Sequence, residues 1–269
     1  ESVSGITTTG STVIVGLDQA PPGILLWRGI LQWFGGIGII LMAMSILPFL
    51  NIGGMQIFRT EMSENEKVLP RTAQLASSIG MIYAGLTLLC IIFYMMSGLQ
   101  TFDAIAHALS TISTGGFSTF DSSFYHYHDN IMPELVCMAF MILGALPFVL
   151  YLKAVRGNIR PLFRDSQVRW FLIIIGLSIA ALTAYLVNQN TMNFDTALRQ
   201  SSFNVISVIT GTGFANGDYN SWGSFAICIF FFLMLIGGCA GSTSCSIKVF
   251  RYQVLFAVTA VQIKKLLYP

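Results

Sequence analysis

Three short stretches of this chain have the composition of an ion-coordinating backbone. They are Ile6-Thr7-Thr8-Thr9-Gly10-Ser11, Ile112-Ser113-Thr114-Gly115-Gly116-Phe117 and Ile209-Thr210-Gly211-Thr212-Gly213-Phe214. Each has a β-branched residue, three small hydroxyl-bearing or glycine residues, and then a glycine. The closing glycines are 106 and 97 residues apart, an internal repeat with a period of about one hundred. A strand of small residues presents its carbonyl oxygens with no side chains in the way, and glycine allows backbone angles that other residues resist. Several such strands around one axis form stacked oxygen rings that replace the hydration shell of an alkali cation. The chemistry expected is exchange of water for carbonyl ligands, with no bond made or broken.

These polar stretches lie in a very apolar chain. Hydrophobic residues make up 54% and charged residues 10%, and the mean hydropathy is +0.71. A soluble domain carries about 25% charged residues, so the composition indicates a membrane protein. The net charge is +2 without a basic run, which gives nucleic-acid binding no support. Cys90, Cys137, Cys228, Cys239 and Cys245 lie in or beside apolar segments with no CxxC pair. They read as free thiols rather than a disulfide frame or metal site. No Ser/His/Asp or Cys/His pairing, phosphate loop or paired-carboxylate site stands out, so an enzyme is not expected. His107, His126 and His128 have no convincing ligand spacing and read as structural or solvated.

Taken in order, the elements that must position the motifs are apolar spans and two short helices. Residues 24–57 form a long apolar run with Arg28 near its start, Gly35-Gly36-Ile37-Gly38 inside it, and a kink expected at Pro48 or Gly53-Gly54. Small residues let helices approach closely in lipid, so packing is the first reading for these glycines. Further spans are read at 73–97, 131–154, 170–187 and 222–236. Residues 101–112 and 193–208 are too short to cross a bilayer and lead straight into the second and third motifs. Each is expected to be a half-helix that aims the negative end of its dipole at a cation. Asp103 and Asp195 are expected to cap the opposite ends. Trp27, Trp33, Trp170 and Trp222 read as an interfacial belt. Residues 237–246 are a run of small residues, read from chemistry alone as a flexible break in a span or a tight helix contact.

The chain divides accordingly into residues 1–57, the end of a first repeat; a linker, 58–72; a second repeat, 73–155; a linker, 156–169; a third repeat, 170–263; and 264–269, the start of a link onward. It reads as a fragment of a longer protein. Twelve of the 14 Lys and Arg residues fall in 59–71, 153–169 and 248–265. Two spans separate successive clusters, so these clusters share the cytoplasmic face and the motifs open outward. Most acids lie on the motif side, which biases the outer mouth towards cations.

At this point the residues resemble a known family. Thr8-Thr9-Gly10-Ser11-Thr12, Trp27-Arg28 with 32–38, Gly53-Gly54-Met55-Gln56, His107-Ala108-Leu109-Ser110-Thr111 running to Gly116-Phe117-Ser118-Thr119, Thr212-Gly213-Phe214 and 237–243 are similar to the Trk/Ktr/HKT superfamily of potassium transporters, and within it the TrkH type. The resemblance covers essentially the whole chain, in order. It implies an all-α membrane fold of four span–pore-helix–span repeats around one pore, pseudo-fourfold in the complete protein. A potassium-binding filter would comprise Thr8, Thr9, Gly10, Thr114, Gly115, Gly116, Gly211, Thr212 and Gly213. The fourth filter segment and the first repeat's leading span would lie outside this chain. Gly237, Gly238, Cys239, Ala240, Gly241, Ser242, Thr243, Ser244, Cys245 and Ser246 would form an intramembrane gate. The family pattern continues with glycines where this chain has Ser244-Cys245-Ser246, and Gly211 stands where threonine is common.

The resemblance further implies potassium uptake across a bacterial inner membrane, a homodimer in lipid, and a TrkA-type cytoplasmic nucleotide-binding regulatory subunit. Potassium is substrate rather than cofactor, with no transition-metal site expected. The alternative within this architecture is a sodium-permeable or cation-coupled secondary transporter, such as a symporter. A midplane solute transporter would have inverted repeats, whereas these repeats run in parallel. A non-transporting membrane scaffold would carry no cation current.

Overall fold

The computed structural model describes residues 1–45, 68–189 and 192–267. Every regular element among them is a helix: α1 (Ser2–Ile6), α2 (Pro22–Ser45), α3 (Val68–Met96), α4 (Thr101–Ile112), α5 (Ile131–Ala145), α6 (Phe148–Val155), α7 (Arg160–Arg164), α8 (Ser166–Asn188), α9 (Phe194–Thr210), α10 (Ser224–Leu235) and α11 (Val249–Leu267). The chain is an all-α membrane protein. Within the described residues, α3 over Ala76–Met96 and α8 are long and apolar enough to cross a bilayer. α5 and α6 are equally apolar as a pair but bend by 94° between them.

The element order repeats. A long helix (α3, α8) is followed by a short one (α4, α9), a motif, and a returning apolar helix (α5, α10). The chain's start supplies the last three parts of the same series, with α1 before the first motif and α2 after it. The short helix expected at 101–112 has those bounds. The one expected at 193–208 runs two residues further, to Thr210. The span expected at 131–154 is broken: Pro147 lacks an N–H and disfavours helix at Leu146, so α5 stops at Ala145. The kink expected at Pro48 or Gly53-Gly54 and the first linker up to residue 67 lie outside the described residues. The second linker contains the short α7.

Helix ends follow local chemistry. The Asn130 side chain accepts the Met132 N–H at 3.0 Å to start α5, and Asp165 accepts from Gln167 and Val168 at 2.9 and 3.1 Å to start α8. Gly98, at φ +100°, closes α3, with Leu99 N–H bonding back to Tyr94 O at 3.1 Å. Asp103 and Asp195 lie in the first turns of α4 and α9, but neither caps by side-chain hydrogen bond. The N-caps are Gln100 and Asn193. Asp103 instead accepts the Thr119 hydroxyl at 2.8 Å, tying the helix start to the outer loop.

The second and third repeats are joined by a plug. The turn Ser123–Tyr127 inserts Phe124, fully buried, among Phe214, His107, Phe203 and Tyr94, with ring centroids 4.7, 5.2, 5.4 and 6.2 Å away. On the other side, α2 wedges between the first two motifs. A Cβ at Gly35 would collide with the Ile6 carbonyl oxygen, and one at Gly36 would lie 2.9 Å from Ser113 Cβ. Packing is therefore what these two glycines serve. Trp33 belongs to the same contact and not to an interfacial belt. Its Nε1–H donates to Thr87 at 3.0 Å, while its carbonyl accepts from Tyr83 at 3.0 Å. Trp33 is partly buried and Trp222 is buried, whereas Trp27 and Trp170 are exposed.

Candidate ion filter and adjoining loop

The three motifs fold alike, residue for residue. In each, the N–H of the residue before the closing glycine bonds back five residues: Thr9 to Ser4 O, Gly115 to Ser110 O and Thr212 to Ser207 O, all at 2.9 Å. The N–H one position earlier bonds back three: Thr8 to Gly5 O at 3.0 Å, Thr114 to Thr111 O at 3.1 Å and Gly211 to Val208 O at 3.0 Å. This pair of bonds is the Schellman ending, which places the residue after the helix cap in the left-handed region. That residue is Thr8 (φ 53°), Thr114 (φ 50°) or Gly211 (φ 75°). Two positions on, the closing glycine is left-handed again: Gly10 at 77°, Gly116 at 82° and Gly213 at 85°. Two left-handed residues separated by one other turn the chain away from the helix while keeping it extended. Glycine meets this demand without strain, whereas threonine at Thr8 and Thr114 holds a costly conformation. Both hydroxyls bond to the preceding carbonyl, Thr8 to Thr7 O at 2.8 Å and Thr114 to Ser113 O at 2.7 Å.

The segments also touch one another in a fixed order. A Cβ at Gly10 would strike the Gly115 carbonyl oxygen, and one at Gly116 would strike the Thr212 carbonyl oxygen. Gly115 and Thr212 occupy the same place in their motifs. The first segment therefore meets the second as the second meets the third, as expected for units arranged around an axis.

Buried polar side chains brace these segments from behind. Gln32 on α2, fully buried, donates from Nε2 to Gly115 O at 2.7 Å. Its Oε1 accepts from Ser110 Oγ at 2.6 Å and from Phe117 N–H at 3.1 Å. Arg28 donates to Glu1 at 3.3 Å, Ser118 O at 3.1 Å and Thr12 Oγ1 at 3.0 Å, and its guanidinium lies 4.1 Å from the Phe117 ring centre. Eighteen residues past the second closing glycine, as Arg28 is past the first, stands Glu134. It is buried and accepts two bonds from Arg199, at 2.8 and 3.0 Å, and one from Asn216 at 3.3 Å. Asn216 in turn accepts from Asn204 at 2.8 Å. His107 is buried on α4. Its hydrogen bonds are complete when Nδ1–H donates to Asp103 O at 2.9 Å and Nε2 accepts from Ser118 Oγ at 3.0 Å. His126 stacks on Phe120, and His128 lies 3.1 Å from Asp129. No metal-ligating cluster occurs among the described residues.

Residues 237–246 break the apolar run between α10 and α11 and also contact the end of α5. They form a loop whose neck is pinned by Gly237 N–H to Ile247 O at 2.9 Å, Ile247 N–H to Leu235 O at 3.2 Å and Val249 N–H to Gly238 O at 3.2 Å. The loop presses on the second repeat where α4 ends and α5 ends. Thr243 Oγ1 lies 3.1 Å from Ile112 O, 3.0 Å from Gly144 O and 3.2 Å from Thr114 Oγ1. Cys239 N–H donates to Ala145 O at 3.0 Å, Phe148 N–H to Gly241 O at 3.0 Å and Ala240 N–H to Gln167 at 3.0 Å. The serines at 244 and 246 add ties. Ser244 Oγ accepts from Gly238 N–H at 2.8 Å, and Ser246, at φ 64°, donates to Met234 O at 2.7 Å. Lys248 reaches back to the Ser244 carbonyl.

The nine residues expected to form a filter are thus gathered into adjoining segments, with the 237–246 loop against two of them. The braces Glu134, Arg199, Asn204 and Asn216 were not singled out from the sequence, and Gln32 entered only as part of a family motif. One usable signal was there: a serine stands six residues before every closing glycine, at Ser4, Ser110 and Ser207.

Parallel repeats, paired left-handed turns and a small-residue loop beside them define an all-α membrane protein built from tandem units. The family model described as "TrkH: Cation transport protein" matches residues 1–268. The chain belongs to the TrkH family. It is 48% identical to the Trk system potassium uptake protein TrkI of Halomonas elongata, and 39% identical to the TrkH protein of Vibrio parahaemolyticus. Both matches cover 100% of this chain, but 54% and 57% of those proteins. The crystal structure of the potassium transporter TrkH from Vibrio parahaemolyticus superposes with a TM-score of 0.88 at 37% identity, over 99% of this chain and 55% of that one. The chain spans just over half the length of these relatives.

Proposed function

We propose that this chain forms three sides of a potassium-selective filter in an uptake protein of the plasma membrane. The observation that carries the reading is the same pair of left-handed turns in three segments, with the first meeting the second at Gly10 and the second meeting the third at Gly116. That backbone turns carbonyls out of helical bonding and leaves them available to a dehydrated cation. The cation is potassium by analogy with the named relatives. The 237–246 loop, lodged under the second segment, is the gate. The motifs open to the outside of a bacterial inner membrane, as the basic clusters favour. In the complete protein a fourth segment closes the ring, the transporter is a homodimer in lipid, and a TrkA-type nucleotide-binding subunit docks on its cytoplasmic face.

The test is potassium-limited growth and rubidium uptake in a host lacking its own uptake systems, using the full-length protein. Replacing Gly116 and Gly213 together by serine abolishes uptake if the filter reading holds. Undiminished uptake by that double variant overturns it. The sodium-permeable or cation-coupled alternative is separated by flux in liposomes. Uptake that follows a sodium or proton gradient rather than the potassium gradient favours it.

A further inference from the structure

The third filter segment differs from the other two at one atom position. Thr8 and Thr114 carry side chains at the first left-handed site, whereas Gly211 carries none. The space beside Gly211 is nonetheless filled. A Cβ built there lands on the sulfur of Cys245, and Cys245 N lies 3.5 Å away. This thiol comes from the loop below, thirty-four residues later in the chain. It is fixed in place on both sides: Ser244 is bonded to Gly238 N–H and held by Lys248, and Ser246 is bonded to Met234 O. Nothing in the backbone excludes threonine at 211, because Thr8 and Thr114 adopt φ of 53° and 50° with the same hydrogen bonds. The obstacle to a side chain at 211 is the sulfur.

We infer that Gly211 and Cys245 are a complementary pair, in which a side chain of the 237–246 loop completes the inner end of the third filter segment. Cys245 is then a positioning and specificity-determining residue for cation passage, although it lies in no filter motif. Loop and filter form one packed unit at two of the three segments. Thr243 touches Thr114 through a hydroxyl pair, and Cys245 touches Gly211 through its sulfur. A displacement of the loop removes a wall from the third segment as well as opening the passage beneath it. This inference rests on the filter reading above.

The experiment is a double-mutant cycle in the full-length protein, read as rubidium uptake and as the potassium-to-sodium flux ratio in liposomes, at matched protein content. Gly211→Thr lowers uptake about tenfold, and adding Cys245→Gly brings it back to within about threefold of the parent, the non-additivity expected of touching residues. Cys245→Gly alone lowers the flux ratio by about threefold, and Cys245→Ser restores it. Gly211→Ala, a smaller intrusion, falls between parent and Gly211→Thr and is rescued by the same second change. The inference is overturned if Gly211→Thr matches the parent, if the double variant is no better than Gly211→Thr, or if the flux ratio ignores residue 245. Gly116→Ser is measured alongside. Its loss of uptake together with a failed cycle removes the pair and keeps the filter, whereas an intact Gly116→Ser removes the filter itself.

Discussion

The second and third filter segments have the same backbone but are held by different means. Segment two is braced by a neutral amide, since Gln32 satisfies Gly115 O, Phe117 N–H and Ser110 at once. Segment three holds itself more closely. Ser207 Oγ donates to Phe214 O at 2.6 Å, and Thr210 and Thr212 share a hydroxyl bond at 2.8 Å. Its outer loop is then fixed by a charged pair, Glu134 with Arg199. One geometry thus has at least two solutions, and the difference lies in what each leaves stranded when broken. A lost amide strands neutral groups, whereas a lost arginine strands a buried carboxylate.

The largest effect is expected where neither brace can compensate. Gly116→Ala forces a Cβ against Thr212 O at a φ of 82°, and rubidium uptake should fall by about a hundredfold or more, because interlocked backbone at a strained position has no room to yield. Second comes the charged brace. Arg199→Ala leaves Glu134 buried without its cation, at a cost of about 3–5 kcal/mol, seen as a large drop in melting temperature in detergent. Glu134→Gln, which removes the buried charge itself, should cost clearly less. The reverse order would break the comparison. Third, Gln32→Leu strands Gly115 O and Phe117 N–H at about 1–3 kcal/mol each, and sodium leak should rise while the Arg199–Glu134 pair stays formed. Smallest is threonine strain. Thr8→Gly should stabilise by about 1 kcal/mol through relief of the left-handed conformation. Thr114→Gly should gain less, because it also loses the hydroxyl contact with Thr243. Equal melting shifts for the two would show that the loop contact carries no weight.

The fold was legible in the sequence where periodicity and composition act locally. The short helix at 101–112, the long apolar spans and the three motifs all announce themselves through runs of apolar residues ended by small polar ones. The bend after Ala145 was less visible, because a single proline in an apolar run must be weighed against twenty apolar neighbours. Gly10, Gly116 and Gly213 were legible because they recur with a period of about one hundred, and all three have a φ that favours glycine. The partners of those glycines were not. Glu134 reads as one acid near a span start, and only packing shows that it faces Arg199, sixty-five residues away. Asp103 shows the opposite error. Its position suggested a helix cap, but Thr119 from the following loop took the carboxylate. Ser244 and Ser246 each make a side-chain hydrogen bond that their place in a run of small residues did not announce.

The bracing side chains also have a direction. Arg28 and Gln32 follow the first segment and reach the second; Glu134 follows the second and reaches the third. Each repeat therefore overlaps the next like a roof tile, in the order in which a ribosome makes them. A newly inserted segment finds its brace already threaded into the bilayer. The contacts of the 237–246 loop, those of Cys239, Thr243 and Cys245 among them, run backwards, from late residues to early ones. The loop is therefore made after both of the segments that it touches.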